Sequence, residues 1–263
     1  PQDLEIIVSG GLGTTYNYQW YSNTTNTNSG GTLISSETNN ILTPPTTTVG
    51  TLYYYVITTQ PSAGCSVVSN TSEVITNAAP AFTTQPISET ICFGETFNTP
   101  SISYSNGVGT PTYQWYSNTF NDATTGTAIS GATNANYTPP SSTIGTVFYY
   151  AVITFSSGGC TEITSQISEN TVNQTPNINT KTQTICSGIT FNMTPDNSNG
   201  DIAPIGTTYT WTNPVINPAG AITGASNEIT PQNSISQTLT NTTTNPATVT
   251  YTVTPLSGSC TGL

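Results

Sequence analysis

The sequence has no histidine and no arginine, and Lys181 is its one basic side chain. Without imidazole there is no ordinary general base near neutral pH and no imidazole metal ligand. Neither a Ser-His-Asp nor a Cys-His arrangement can be built from this chain alone. A carboxylate pair is chemically possible, but the 12 acidic residues are scattered singly. The expectation is a protein with no catalytic residues and no cofactor. The net charge of −11 argues against nucleic acid and anionic membrane as partners, because both need clustered Lys and Arg. With only 5% of residues charged, the bland reading of the acidity is solubility, and the polar surface must be Thr, Ser, Asn and Gln. No apolar run approaches the roughly 18 residues of a membrane helix, so membrane insertion is not expected. No signal peptide opens the chain, but residue 1 begins mid-pattern, which takes the meaning out of that absence.

Helical periodicity is missing as well. What is present is Thr, Val, Ile and 14 Tyr, broken by 22 Gly and 18 Pro. These are strand formers and turn formers, and they point to an all-β fold.

The chain repeats itself. "YQWYSNT" occurs at 18–24 and again, letter for letter, at 113–119, with a looser version, "YTWTNP", at 209–214. Trp20, Trp115 and Trp211 recur at an interval of about 95 residues, the size of one immunoglobulin-like sandwich. "LTPPTTTVGTLYYYVIT" at 42–58 matches "YTPPSSTIGTVFYYAVIT" at 137–154. Each Trp is expected in the core of its own sandwich, as the anchor on a central strand packed between two sheets. The Tyr-rich run is apolar on both faces, so either Tyr149/Ala151/Ile153 or Phe148/Tyr150/Val152 would serve as its core stripe. Pro-containing joints at 77–86 and 173–178 divide the chain into units 1–79, 80–175 and 176–263. Unit one lacks a first strand and unit three a last one, so the chain reads as an excerpt from a longer array. Joints this short and Pro-stiffened restrain orientation, which suits sandwiches arranged end to end as a rod.

Five cysteines fit the same scheme. Cys92 in "ICFG" and Cys160 in "GGC" belong to unit two; Cys186 in "ICSG" and Cys260 in "GSC" belong to unit three. Paired Cys in loop-rich β units argue for an oxidising, extracellular compartment. The expected pairing is within units, Cys92–Cys160 and Cys186–Cys260, with Cys65 left for a Cys upstream of residue 1. Geometry opposes this in a standard sandwich: the opening "CxG" turn and the late hairpin lie at opposite ends, while bridged Cα atoms must come within about 7 Å. Either the first strand is short and runs beside the last, or the bonds link neighbouring units.

The segments "YQWYSNTTNTNSGGTLIS", "TPPTTTVGTLYYYVIT" and the following "GC" resemble the Ig-like repeats of giant surface proteins of gliding Bacteroidetes. Unit three, with "TICSGITFNMTP", "GTTYTWTNP" and "SISQTLTNTTTNPATVTYTVTP", is similar to their companion PKD-like module. The resemblance covers nearly the whole chain. It implies a stalk section of an adhesin exported by type IX secretion and displayed on the surface of a Gram-negative bacterium. The partners implied are the rest of its own repeat array, other fibre subunits or outer-membrane surface machinery. The family's C-terminal sorting domain is not in this sequence.

Three patterns are weighed as sites. Asp196 and Asp201 in "PDNSNGD" are a weak calcium candidate, since their order departs from a calcium loop and a polar turn explains the composition. The clusters Tyr53–Tyr55 and Phe148–Tyr150 would make a sugar-stacking platform, but alternating aromatics more often form core and cross-strand pairs. The sequons at Asn23, Asn70, Asn136, Asn192 and Asn241 are what a Thr/Asn-rich surface produces by accident. The expected function is a structural section of an extracellular surface fibre or adhesin stalk. The alternative is a glycan- or protein-binding Ig-like module, with unit three the better candidate.

Overall fold

Short runs of alternating apolar and polar residues, punctuated by Gly and Pro, bury their apolar side only as strands of facing sheets. The computed structural model describes residues 2–262 and contains strands and turns but no helix among them. Pro1 and Leu263, the outer limits of the first and third expected units, lie outside the described residues. The chain divides into two compact units. The first holds the residues up to Thr83 together with Tyr104–Thr112 and Ile153–Ile163; the second holds Thr84–Ser103, Tyr113–Val152 and the residues from Thr164 onward.

In the first repeat, strands Thr32–Leu33, Asn17–Asn23, Gly50–Gln60 and Cys65–Val68 form one sheet in that order, and Ser72–Thr76 also pairs with Gly50–Gln60. Leu4–Glu5 pairs antiparallel with Ile41–Leu42. Trp20, Leu42, Tyr54 and Val56 are the buried centre, with Leu4, Ile6, Tyr18, Ile34, Leu52 and Val74 packed around them.

The second repeat repeats this plan and adds a strand. Its sheet runs Thr127–Ala128, Val108–Asn118, Gly145–Ser157, Ser168–Asn173, Glu89–Cys92, with Glu162–Thr164 also paired to Gly145–Ser157. Glu89–Cys92 lies parallel to Ser168–Asn173, with Cys92 opposite Asn173. The opening strand is therefore short and does run beside the last.

The third repeat keeps the Trp strand and loosens the rest. Glu228–Gln232, Thr208–Trp211, Val253–Ser257 and Cys260–Thr261 form one sheet in order, while Thr190–Met193 pairs with Ile235–Thr238. Phe191, Tyr209, Trp211 and Ile235 are its buried centre.

Trp settles the phase that the Tyr-rich strands leave open. Trp20 is opposite Val56 in the antiparallel register, and directly opposed residues share a face. Tyr54, Val56, Thr58 and Gln60 are buried on that face. Tyr149, Ala151, Ile153 and Phe155 are the buried alternating set in the second repeat, so the first of the two possible stripes is the core. The other face is covered too: Tyr55 stacks on Tyr21 at 5.2 Å and Tyr150 on Tyr116 at 5.0 Å, the ring planes 8° and 4° apart.

Burial leaves an electrostatic signature. The Tyr149 phenol is pushed up to about 12, first by burial and then by neighbouring Tyr137. Burial also raises Tyr54, Tyr137, Tyr209 and Tyr251. A phenol raised in the folded state contributes stability that is fully present below the unfolded value of about 10 and is lost as pH climbs through the folded one. Stability should fall between pH about 10 and about 12, and a spectrophotometric titration of the folded protein should show part of the tyrosine ionisation displaced above pH about 10. Uniform ionisation of all 14 Tyr near pH 10 in a protein still folded by circular dichroism would contradict the packing.

Candidate functional site

The string written twice, "YQWYSN", is where a ligand site would first be sought, and its Gln, Trp, second Tyr and Asn side chains are already occupied. Trp20 and Trp115 are 3% and 0% exposed, and their indole N–H groups donate to Asn39 O at 2.8 Å and Asn134 O at 2.9 Å. Trp211 is 4% exposed and donates to Ser226 O at 3.0 Å. Gln19 Nε2 donates to Ile34 O at 2.8 Å and Trp20 O at 3.1 Å; Gln114 Nε2 donates to Ile129 O and Trp115 O, both at 2.8 Å. These amides tie the connection after the Trp strand back onto it. Tyr21 and Tyr116 make the stacks just described. Asn23 Nδ2 holds its loop through Thr27 O at 3.3 Å and Ser29 O at 3.2 Å, and Asn118 Nδ2 does so through Asp122 O at 2.9 Å.

The stack also dictates a glycine. A Cβ on Gly31 would sit 2.7 Å from Ser22 O and 2.9 Å from the Tyr55 ring, and one on Gly126 2.6 Å from the Tyr150 ring. The Tyr55 hydroxyl accepts a hydrogen bond from Gly31 N at 3.0 Å. Of the two aromatic clusters, only Tyr53 and Phe148 are left partly open, and Tyr53 donates its hydroxyl to Glu73 Oε1 at 3.1 Å. That bond is the main cause of its raised pKa. The rings suited to a sugar platform are spent on packing.

Asp196 and Asp201 have partners of their own. Asp196 Oδ1 accepts from Ser198 N at 3.0 Å and from the Ser198 hydroxyl. Those bonds, with Lys181 a smaller influence, hold its carboxyl below the usual range. Asp201 has a fully buried side chain. Its Oδ1 accepts from Asn179 N at 2.9 Å, and its Oδ2, which receives no well-oriented hydrogen bond, meets Lys181 Nζ at 2.6 Å. The single lysine thus supplies the positive charge beside the two aspartates that were weighed as calcium ligands. Among the described residues no group of three or more His, Cys, Asp or Glu is placed to hold a metal ion.

The cysteines require a correction. The bond joins Cys92 to Cys260, with Cα atoms 5.5 Å apart and a sequence separation of 168; neither Cys92–Cys160 nor Cys186–Cys260 forms. Cys65, Cys160 and Cys186 are free thiols. The reason lies in strand register. Gly145 is opposite Val172, and Cys92 is opposite Asn173, so Cys92 sits at the Gly145 end of the 13-residue strand Gly145–Ser157. Cys160 follows the Ser157 end, and a strand of that length, at about 3.3 Å per residue, far exceeds the reach of a disulfide. The chain leaves Asn173 directly into the third repeat, where Gly262 lies so close to Pro176 O that a Cβ would be 2.0 Å from it. Gly262 N also donates to Pro255 O at 2.8 Å. That approach brings the Cys260 hairpin to Cys92. Sequence reasoning had both cysteines and the option of a bond between units, but not the register that chooses it. A structural disulfide is a mark of secreted proteins.

One shallow groove is lined by Thr84, Gln85, Ile87, Ser88, Asn98 and Ser101 among others. Its one acid, Glu89, accepts from Asn98 N at 2.9 Å and Asn98 Nδ2 at 2.7 Å. Another, around Trp211 and Glu228, is more open.

Removing the lysine should expose what it neutralises. Lys181→Met leaves a buried carboxylate without its partner, and should cost about 3–5 kcal/mol in urea unfolding. The double variant with Asp201→Asn should cost less than the single one. A Lys181→Met loss under about 1 kcal/mol, the range of exposed pairs, would show that the pair is not structural.

Residues 83–174 match the model of a domain of unknown function (DUF8696), and residues 183–263 match that of a PKD-like domain. No curated protein matches the sequence. Among solved structures, the chain is similar to the fibronectin(III)-like modules of Clostridium thermocellum CbhA, at 14% identity over 60% of this chain and 78% of that one, with a TM-score of 0.27. It is similar to Sidekick-1 immunoglobulin domains 1–5, at 12% identity over 96% of this chain and 56% of that one, TM-score 0.37. Drosophila N-cadherin EC1-4 gives 12% identity over 95% and 66%, TM-score 0.33. These whole-chain similarities are slight, so the assignment rests on strand order and on the matched domain. The chain is an all-β protein of immunoglobulin-like sandwiches, whose residues 183–263 are similar to PKD-like domains.

Proposed function

We propose that this chain is a non-catalytic structural section of an extracellular adhesin stalk, of the kind its repeats resemble on the surface of gliding Bacteroidetes. The observation that carries this reading is the double use of "YQWYSN": its repeated Gln, Trp, second Tyr and Asn side chains all make contacts that fold the unit. A repeat that serves as a spacer needs only its fold. The lack of His and Arg supports a role outside catalysis. The partners in this reading are the rest of the same repeat array, and the location is the cell surface, reached by type IX export.

A stalk carries tension, and the disulfide decides which residues feel it. Pulled from its two ends, the chain transmits force through the Cys92–Cys260 bond, and the segment between them, a sequence separation of 168, is bypassed. Single-molecule pulling tests this. Under non-reducing conditions, unfolding should release only the length outside the bond. A thiol reductant should then release about 570 Å more, at roughly 3.4 Å per extended residue. Release of the whole length before reduction, or saturable, sugar-competed binding to a glycan array, would contradict a spacer under tension.

A further inference from the structure

We propose that Cys160 is the hairpin half of a second disulfide like Cys92–Cys260, and that its partner is a cysteine of an "ICFG"-like strand lying along the outer edge of Ser72–Thr76. The bond at Cys92 shows how such a partner is placed. Glu89–Cys92 runs parallel to Ser168–Asn173 with Cys92 opposite Asn173. Phe93 N then donates to Asn173 O at 2.8 Å, and Thr175 Oγ1 to Phe93 O at 3.1 Å. The thiol so placed meets Cys260, the last residue of the hairpin "SGSC".

The same parts stand at the first joint. "SEVITN" at 72–77 corresponds to "SENTVN" at 168–173, which makes Asn77 the counterpart of Asn173, and "SGGC" at 157–160 corresponds to "SGSC" at 257–260. Asn77 Nδ2 donates to Gly158 O at 3.4 Å, so the residue beside which the opening cysteine belongs touches the hairpin that carries Cys160. Ser72–Thr76 pairs on one side with Gly50–Gln60, and among the described residues no strand pairs with its other side. Ile75, on that strand, is 60% exposed. In the second repeat the equivalent edge is the one that Glu89–Cys92 fills. An unpaired edge takes another strand through its free backbone groups, and the occupant that fits is a copy of the segment "ETICFGE" found at 89–95. The upstream partner that pairing within repeats would give to Cys65 belongs to Cys160 in this arrangement. The rule is general to the repeat: the opening cysteine of one unit bonds the hairpin cysteine of the next. The inference rests on the geometry of the two joints and stands whether or not the array is a stalk.

The chemistry is thiol–disulfide exchange. The two thiols lose two protons and two electrons and form one S–S bond. A disulfide-bearing oxidant of the extracytoplasmic exchange class takes both and leaves as a dithiol.

The test extends the full chain at its N-terminus with a copy of Thr84–Glu95, "TQPISETICFGE". The new cysteine then stands as far before Trp20 as Cys92 does before Trp115. After oxidative refolding, alkylation and non-reducing peptide mapping, the new cysteine should be found joined to Cys160. That bond should be the main cross-linked species of the new cysteine, with joining to Cys65 a minor one. Adding Cys160→Ser should leave the new thiol alkylated and not redirect it to Cys65. The Cys92–Cys260 bond serves as the control for folding and oxidation. A bond from the new cysteine to Cys65, or alkylation of both the new cysteine and Cys160 while Cys92–Cys260 is intact, would overturn the proposal. Should the extended chain fail to fold, a peptide "ETICFGETF" carrying an activated mixed disulfide, added to the unextended chain, gives the same choice. Labelling of Cys160 ahead of exposed Cys65 supports the proposal, and labelling of Cys65 alone overturns it.

Discussion

Everything in the first two repeats is referred to the buried tryptophan. It fixes which face of the neighbouring Tyr-rich strand is core, because Trp20 and Val56 are opposed in the ladder. The phase of that strand then decides that Tyr55 and Tyr150 point outward, where each needs a second ring to cover it. The covering ring decides in turn that the loop after the Trp strand carries a glycine, since the tyrosine ring leaves no room for a Cβ at Gly31 or Gly126. The third repeat shows the dependence by its absence. Thr212 stands where Tyr21 and Tyr116 stand in the other copies, no such stack forms there, and Tyr251 instead packs edge-on against Trp211 at 6.3 Å.

The joints obey a second constraint, set by backbone and not by side chains. A parallel opening strand carries its cysteine to the end of the sheet where the chain departs for the next repeat. A thiol held there is beyond the reach of the hairpin in its own unit and within reach of the hairpin that follows. In units with thin cores and few charges, a covalent link of this kind closes a loop of 168 residues. By the loop-entropy account that is worth about 5 kcal/mol.

Much of this was legible in the sequence. The all-β class follows from composition, and the burial of Trp20, Trp115 and Trp211 from their place in the repeated strings. The reading of Asp196 as part of a polar turn follows from the residue types around it. The core stripe of the Tyr-rich strand was not legible, because both of its faces are aromatic and only the register against Trp chooses between them. The Lys181–Asp201 pair was hidden for a related reason: 20 positions separate the two residues, and nothing in either's neighbours announces the other. The disulfide was half legible. The cysteines and the geometric conflict of pairing within a unit could be read from spacing, but the choice between a short parallel strand and a link between units could not. In the structure both options hold at once.

The central claim is that the covalent link runs between successive repeats. Non-reducing peptide mapping of the unmodified chain, with free thiols alkylated before digestion, tests it most directly. The account predicts one cross-linked species, the Cys92 peptide joined to the Cys260 peptide, with Cys65, Cys160 and Cys186 recovered alkylated. Recovery of Cys92 joined to Cys160, or of Cys186 joined to Cys260, would contradict it.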